Sequence, residues 1–361
     1  MFTKDAVYIV AEAGVNHNGS LERAMQMIDM AVEAGADAVK FQSFKADNII
    51  SGSAPKAEYQ KKTTSAEETQ LAMVKKLELS RDAHKELIDH CIRKGIQFLS
   101  TPFDIESVEL LVHTFDLPRL KISSGDLTNG PLLLRAAMTE KQIILSTGMS
   151  TIGEIETALE VLAFGYIARG EKPSSAAFKR AYRSEEGQKA LREKVILLHC
   201  TTEYPALFTD SNLRVIDTLR STFGLAVGLS DHTLGIAVPI AAVARGAVVI
   251  EKHFTLDRNL PGPDHKASLE PAELIEMVRS IRQVEAALGS QVKKPASSEC
   301  KNITAARKSL VAAKDITEGE IFTEDNLTFK RPGSGISPMQ YWDWLGKSAD
   351  RSYKRDELVG V

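Results

Sequence analysis

Two histidines, His232 in GLSDHTLG and His253 in EKHFTLD, each close a short apolar run. Imidazoles that end neighbouring strands can share a divalent metal, with water and substrate completing its shell. Asp231 and Glu251 stand beside them as candidate ligands or as acceptors behind the ligands. The competing reading is a pair of structural histidines with satisfied hydrogen bonds. A second group is Lys40, Thr101, Lys121, Ser124, Ser146 and Ser230, two ammonium ions among hydroxyls, which is the inventory of a phosphate cradle. Ser146-Thr147-Gly148 precedes a helix expected to begin near Thr151, whose free amides would favour an anion. The competing reading, which residue types and positions favour less, is a Schiff-base aldolase with Lys121 or Lys40 as nucleophile. His84, His90 and His113 fall on helical segments and read as surface or packing residues. His199, inside a strand beside Cys200, reads as a buried, hydrogen-bonded histidine.

These residues need a frame that gathers them. Strands are expected at Val7–Glu12, Ala38–Phe41, Gln97–Thr101, Arg119–Ile122, Ile143–Ser146, Val195–Cys200, Ala226–Ser230 and Val248–His253. Amphipathic stretches such as Leu21–Ala34 and Arg81–Lys94 lie between them, with apolar residues at i, i+3, i+4 spacing. Eight strands each followed by a helix call for a parallel sheet, and eight closes a (β/α)8 TIM barrel. An open doubly wound sheet would announce itself with GxGxxG after the first strand, where this chain has EAGVNHNGS. Parallel barrels build their sites at the C-terminal strand ends. That rule puts Glu12, Lys40, Gln42, Thr101, Lys121, Ser124, Ser146, Tyr204, Ser230, His232, Glu251 and His253 on one rim, more buried polarity than structure alone explains.

Two connections are long: Phe44–Leu79, polar and placed to form a lid, and Phe164–Glu193, an excursion over the outer surface. The last barrel helix, Pro271–Leu288, stops at Gly289, so the catalytic domain is expected over 1–289. A linker follows at Ser290–Asn302, and a small domain of short strands and turns fills 303–361. The 55 residues of Arg307–Val361 make a marginal core, so this piece should dock on its own barrel or a partner's. Extended, the linker would reach about 40 Å at roughly 3.3 Å per residue.

Composition narrows the class. Of the 361 residues, 43% are hydrophobic and 26% charged, too apolar for disorder. A net charge of −3 argues against nucleic acid as partner. The three cysteines, Cys91, Cys200 and Cys300, are too scattered for a disulfide framework or a thiolate zinc site. The N-terminus runs into a strand-like segment without a cleavable signal, and no apolar run approaches about 18 residues. A cytoplasmic enzyme with no membrane partner is expected.

The motifs AEAGVNHNGS, VKFQSF, STPFD, KISSGDLTN, LSTGMST, HCTTEYPA, GLSDHTLG and EKHFTLDRNLPGPDH resemble, in order, those of the sialic acid synthase family, whose members make N-acetylneuraminate, legionaminate, pseudaminate and spore-coat precursors. The tail SLVAAKDITEGEIFTEDNLTFKRPGSGISP resembles the family's C-terminal antifreeze-like (SAF) domain, a β-clip-like fold. The resemblance implies a metal-dependent condensation of phosphoenolpyruvate with an open-chain N-acetylated amino sugar, with C–O cleavage, yielding a 2-keto acid and phosphate. It implies Mn2+ or Mg2+ on His232 and His253, and phosphoenolpyruvate on Lys40, Thr101, Lys121, Ser124, Ser146 and Ser230. Glu12, Gln42, Tyr204 and Asp264 would contact the sugar, and Arg331 its N-acetyl group, reaching over from the other subunit of a domain-swapped homodimer. Glu12, Lys121 and Glu251 are the expected catalytic residues. Thr202 and Glu203 depart from the N-acetylneuraminate pattern and are as readily associated with the legionaminate branch, so Thr202 is counted as substrate-binding. The charged tail argues against the remaining alternative, a sugar- or ice-binding protein.

Overall fold

The computed structural model describes residues 6–56, 68–168 and 170–360. The chain divides into two compact units, Met1–Gly289 and Ser290–Val361.

In the first unit, short runs rich in Val, Ile and Leu form β1 (Tyr8–Gly14), β2 (Ala38–Ser43), β3 (Gln97–Pro102), β4 (Arg119–Ile122), β5 (Gln142–Ser146), β6 (Val195–Cys200), β7 (Ala226–Asp231) and β8 (Val249–His253). All bonded neighbours are parallel, in the order β3-β2-β1-β8-β7-β6-β5-β4. The end strands β3 and β4 lie side by side, so the sheet closes into the expected barrel. Each expected strand is present within about two residues of its expected ends.

The pleat alternates side chains between lumen and exterior. Ile9, Val39, Leu120, Ile143, Leu197, Val227 and Ile250 point outward into the core shared with the helices. Val10, Ala38, Leu99, Ile144, Leu198 and Val249 point inward and form a separate apolar layer inside the barrel. Two residues further along each strand the inward positions become Glu12, Lys40, Thr101, Ser146, Cys200 and Glu251. The lumen therefore turns from apolar to charged within one pleat repeat, toward the C-terminal end.

The outer helices carry their own local signals. Helix Leu21–Glu33 is capped by Ser20 and buries Ala24, Met27, Ile28 and Ala31. Helix Arg81–Lys94 starts at Ser80 and ends at Gly95 with φ 74°, a left-handed cap suited to glycine. The long excursion after β5 folds as helices Ser175–Arg183 and Glu185–Lys194 on the outer layer. Part of the expected lid, residues 57–67, lies outside the described residues; the rest holds helices Ala46–Ile49 and Gln70–Lys75.

In the second unit β9 (Ser309–Ala312) pairs antiparallel with β10 (Leu327–Lys330). Isolated bridges join Val311 to Leu358, Ile316 to Tyr353 and Ile321 to Ser348. These turns enclose Leu310, Ile316, Phe322, Leu327, Tyr353 and Val359. The expectation of a linker over 290–302 is corrected: residues 297–306 form a helix. At about 1.5 Å per helical residue its share shrinks to about 9 Å. The irregular stretch 290–296 spans about 23 Å at most, so the 40 Å reach is not available. The cause is local, since Glu299 caps the Ala296 amide and so starts a helix.

At Gly228 the neighbouring strands leave no room for a side chain on β7. A Cβ there would stand 2.4 Å from the Val249 carbonyl oxygen and 2.7 Å from Leu198 Cδ2. Gly228→Ala is expected to cost about 1–3 kcal/mol by overpacking, read as a lower urea midpoint. Gly153→Ala, with open space around it in the first turn of its helix, is the control and should hold or slightly raise the midpoint, since alanine is the better helix former. A parent-like midpoint for Gly228→Ala would contradict the close approach.

Candidate functional site

At the C-terminal end of the barrel lies a cavity of about 370 Å³ whose walls include Glu12, Lys40, Gln42, Thr101, Lys121, Ser124, Ser146, Thr202, Tyr204, Ser230, His232, Glu251, His253 and Asp264. Fourteen of the fifteen expected site residues therefore meet in one place. The fifteenth, Arg331, belongs to the second unit, where its Nε donates to the Ala306 carbonyl at 3.1 Å.

Parallel register explains the floor. Glu12 pairs with Lys40 across β1 and β2 and with His253 across β1 and β8, while Ser230 pairs with Glu251 across β7 and β8. Lys40 Nζ stands 2.9 Å from Glu12 Oε2 and 3.6 Å from Glu251 Oε2. Lys121 Nζ is 3.3 Å from Glu251 Oε1. Thr101 Oγ1 accepts from Lys40 at 3.0 Å, and Ser230 Oγ donates to Glu251 at 2.9 Å. Glu12, Lys40, Glu251 and Lys121 thus alternate in sign, and each is at most 4% exposed.

The two carboxyl groups are inequivalent. Burial pushes the Glu12 carboxyl well above the usual carboxylate range, with Lys40 opposing and the Glu251 charge adding to the rise. Burial acts on Glu251 in the same direction, but Lys121 and Lys40 outweigh it and hold that carboxyl below the usual range. Burial would also lower Lys40, yet Glu12 and Glu251 raise it and keep it an ammonium. For Lys121 burial wins over Glu251 and the pKa falls. Neighbouring acids driven apart in this way can take separate roles in one reaction.

Above this floor, His232 and His253 converge with ring centroids 5.4 Å apart, and Tyr204 packs 4.2 Å from the first and 5.6 Å from the second. His232 Nδ1 donates to the Thr201 carbonyl at 2.6 Å, since a carbonyl only accepts. The Nε2 lone pair is therefore left for the cavity, the arrangement of a metal-ligating histidine. Burial drives His232 down to about 4, and burial plus the neighbouring His232 holds His253 well below the ordinary range. Both are neutral near pH 7, the form that binds metal. His253 Nδ1 is buried without a hydrogen bond, 3.9 Å from Asp264 Oδ2. Burial raises the Asp264 carboxyl to about 6. Among the described residues no group of three or more His, Cys, Asp or Glu is arranged to hold a metal. The histidine pair fits a metal only if substrate and water supply the remaining ligands.

Three sequence expectations change. Asp231 faces away from the cavity: its carboxylate takes Lys252 and Thr233, because it follows Ser230 by one residue and so sits on the outer face of β7. Glu251 bonds the lysines and Ser230, not a histidine. The helix that Thr151 caps does not line the cavity, and a capping box with Glu154 takes up the Thr151 and Glu154 amides. The Gly148 amide, just after Ser146, donates to Ser124 Oγ at 2.9 Å and to Cys200 Sγ at 3.1 Å. A Cβ on Gly148 would stand 2.4 Å from Thr202 Oγ1. That hydroxyl is buried without a hydrogen bond of its own.

Residues that sequence reasoning missed tie the first and last βα loops together. Asn16 Nδ2 donates to the Phe254 carbonyl at 2.8 Å and to Ser268 Oγ at 2.9 Å, and Thr255 Oγ1 meets His265 Nδ1 at 2.7 Å. These bonds place Asp264 beside His253. The NHNGS and PDH strings were visible, but their pairing across some 240 positions was not. His84 is buried against Ser43 Oγ at 2.6 Å and His199 against the Ser211 carbonyl at 2.7 Å, both in the packing roles expected. His90 sits beside Asp29 at 2.9 Å on the surface.

Known proteins resemble this chain over most of its length. The chain is 55% identical to an N,N'-diacetyllegionaminic acid synthase of Campylobacter jejuni, over 97% of this chain and 98% of that one. It is 42% identical to a protein of the same name from Legionella pneumophila, over 94% and 89%. The crystal structure of an N-acetylneuraminic acid (sialic acid) synthetase from Leptospira borgpetersenii superposes with a TM-score of 0.67 at 34% identity, covering 83% of this chain and 91% of that one. Residues 27–293 match the NeuB family and residues 307–360 the SAF domain. These matches run over barrel and tail alike, and the chain belongs to the NeuB family and ends in a SAF domain.

Proposed function

We propose that this protein is a transferase condensing phosphoenolpyruvate with an N-acetylated amino sugar, giving a nonulosonic 2-keto acid and phosphate, and that it is of the legionaminate type. The observation that carries the reading is the buried pair Lys40 and Lys121, ringed by hydroxyls beneath two neutral imidazoles. The similarity to N,N'-diacetyllegionaminic acid synthases favours a 2,4-diacetamido-trideoxyhexose over N-acetylmannosamine.

Lys40, Lys121, Thr101, Ser124, Ser146 and Ser230 hold the carboxylate and phosphate of phosphoenolpyruvate and fix its C3 toward the sugar aldehyde. C3 attacks C1 of the open-chain sugar, whose C=O π bond opens onto the oxygen; that oxygen takes up a proton to become a hydroxyl, while positive charge builds at C2. The Glu12 carboxylate faces that charge and accepts a proton from the water adding at C2. Phosphate then leaves from the tetrahedral centre, so the C–O bond breaks. Gln42, Tyr204, Asp264 and Thr202 orient the sugar. A divalent cation, Mn2+ or Mg2+, held by His232 and His253 would supply Lewis-acid polarisation of the aldehyde. The reading places the enzyme in the cytoplasm, where phosphoenolpyruvate is made; no helix among the described residues is long and apolar enough to cross a membrane. It also includes a domain-swapped homodimer in which Arg331 of one chain reaches the N-acetyl group bound by the other.

Lys121→Met should raise the KM for phosphoenolpyruvate far more than that for the sugar. Loss of one charge-assisted contact, about 1.5–3 kcal/mol, lowers kcat/KM on the order of 10–150-fold. A borohydride-stable adduct on Lys121 or Lys40 would favour the aldolase instead. His232→Ala and His253→Ala should each abolish the saturable Mn2+ binding that calorimetry detects on the parent, together with the activity that Mn2+ restores after chelation. Parent-like Mn2+ binding in both variants would remove the metal assignment. Arg331→Ala refolded with Glu12→Ala should regain activity through mixed dimers, each pairing one intact rim with one intact Arg331. No recovery despite demonstrated subunit exchange means that each tail serves its own barrel.

A further inference from the structure

The segment between β2 and helix Arg81–Lys94 is charged in sequence yet apolar where it meets the cavity. Ile49, Met73, Val74 and Leu77 line the cavity with Phe44 and Phe103. The two phenyl rings meet edge to face with centroids 6.1 Å apart. Phe44 and Leu77 are buried together with Val15 in a small cluster separate from the barrel core. The segment's charges pair among themselves instead: Lys75 with Asp47 at 2.7 Å, Lys76 with Glu68 at 2.5 Å, and Lys45 with Glu78 at 3.9 Å. None of these six lines the cavity. Gln70 is the one polar residue that the described part of this segment adds to the lining.

The cavity is therefore bipolar, with ammonium, carboxylate and hydroxyl groups on its floor and an aliphatic and aromatic wall from this segment. The condensation fixes which part of the sugar meets which wall. C1 must lie over the floor beside phosphoenolpyruvate, and C6 is the sugar carbon farthest from it. A hydroxymethyl group at that end would give up water without gaining a partner on the apolar wall. A methyl group there loses nothing and gains apolar contact.

We propose that the wall formed by Phe44, Phe103, Met73, Val74 and Leu77 is the subsite for the C6 methyl of a 6-deoxy amino sugar, and that it determines specificity at that carbon. The proposal rests on the condensing reading given above and assigns the far end of the same substrate. Met73 and Val74 both line the cavity, Val74 while packing against the Val15–Phe44–Leu77 cluster.

The test compares two sugars that differ only at C6, 6-deoxy-N-acetylmannosamine and N-acetylmannosamine, by phosphate release from phosphoenolpyruvate. The parent should prefer the deoxy sugar by about 10–100-fold in kcat/KM, the range an apolar pocket gives against an added hydroxyl. Met73→Gln, which keeps length and adds an amide, and Val74→Thr, which keeps shape and adds a hydroxyl, should each lower that ratio severalfold, with circular dichroism confirming the fold. Equal kcat/KM for the two sugars in the parent overturns the proposal, as does a ratio unchanged in both variants. Phosphate release with none of these sugars, nor with 2,4-diacetamido-2,4,6-trideoxymannose, overturns the condensing reading itself and the subsite with it.

Discussion

Four charges buried inside a barrel set the terms for everything above them. Glu12, Lys40, Glu251 and Lys121 lie within a few ångströms of one another and are nearly inaccessible to water. Isolated, each would carry a desolvation cost of several kcal/mol. Alternation sets each group beside one of opposite sign, and hydrogen bonds from Lys40 to Thr101 and from Ser230 to Glu251 satisfy further lone pairs and protons. The carboxylates thereby hold the two ammonium groups in place at the cavity floor. Such a buried ionic group orders the site rather than adding stability.

The rest of the barrel keeps this arrangement workable. One pleat repeat below, Val10, Ala38, Leu99, Ile144, Leu198 and Val249 plug the lumen and deny water a route from beneath. At the opposite end of the barrel Arg119 lies over the Tyr8 ring, 4.9 Å from its centroid. One pleat repeat above, His232 and His253 are held neutral by burial, so the cavity passes from fixed ions to lone-pair donors as it opens. A condensation that must bind a polyanion, activate an aldehyde and direct water onto one carbon needs those two zones in that order.

Burial also separates roles among chemically identical side chains. Glu251, shared by two lysines, is stabilised as the anion; Glu12, with one lysine at close range, is not. Outside the lumen, Lys252 and Asp231 form a second buried ion pair, which braces the strand ends that carry the two histidines. One residue of register separates the pairs, because successive side chains of a strand face opposite ways. The cavity's upper wall follows a different logic. Its segment spends its charges on ion pairs of its own and leaves apolar groups for the ligand.

The sequence alone determined the barrel and most of the rim. Short apolar runs alternating with amphipathic stretches are local signals, and the rule that parallel barrels work at their C-terminal strand ends converts a strand list into a site list. Glu12, Lys40, Lys121, Ser230, His232, Glu251 and His253 were all legible in that way. Tertiary structure decided what depends on pairing between distant strands or on direction along a strand. It sent Asp231 outward to Lys252, matched Glu251 with the lysines instead of the histidines, and joined Asn16 to the loop after β8. It also turned half of an expected linker into a helix, where Glu299 captures the Ala296 amide. Composition shows which residues are polar or apolar, but a one-residue step reverses the face a strand residue presents. Only the closed sheet, with its register fixed by every neighbour, says which of them meet.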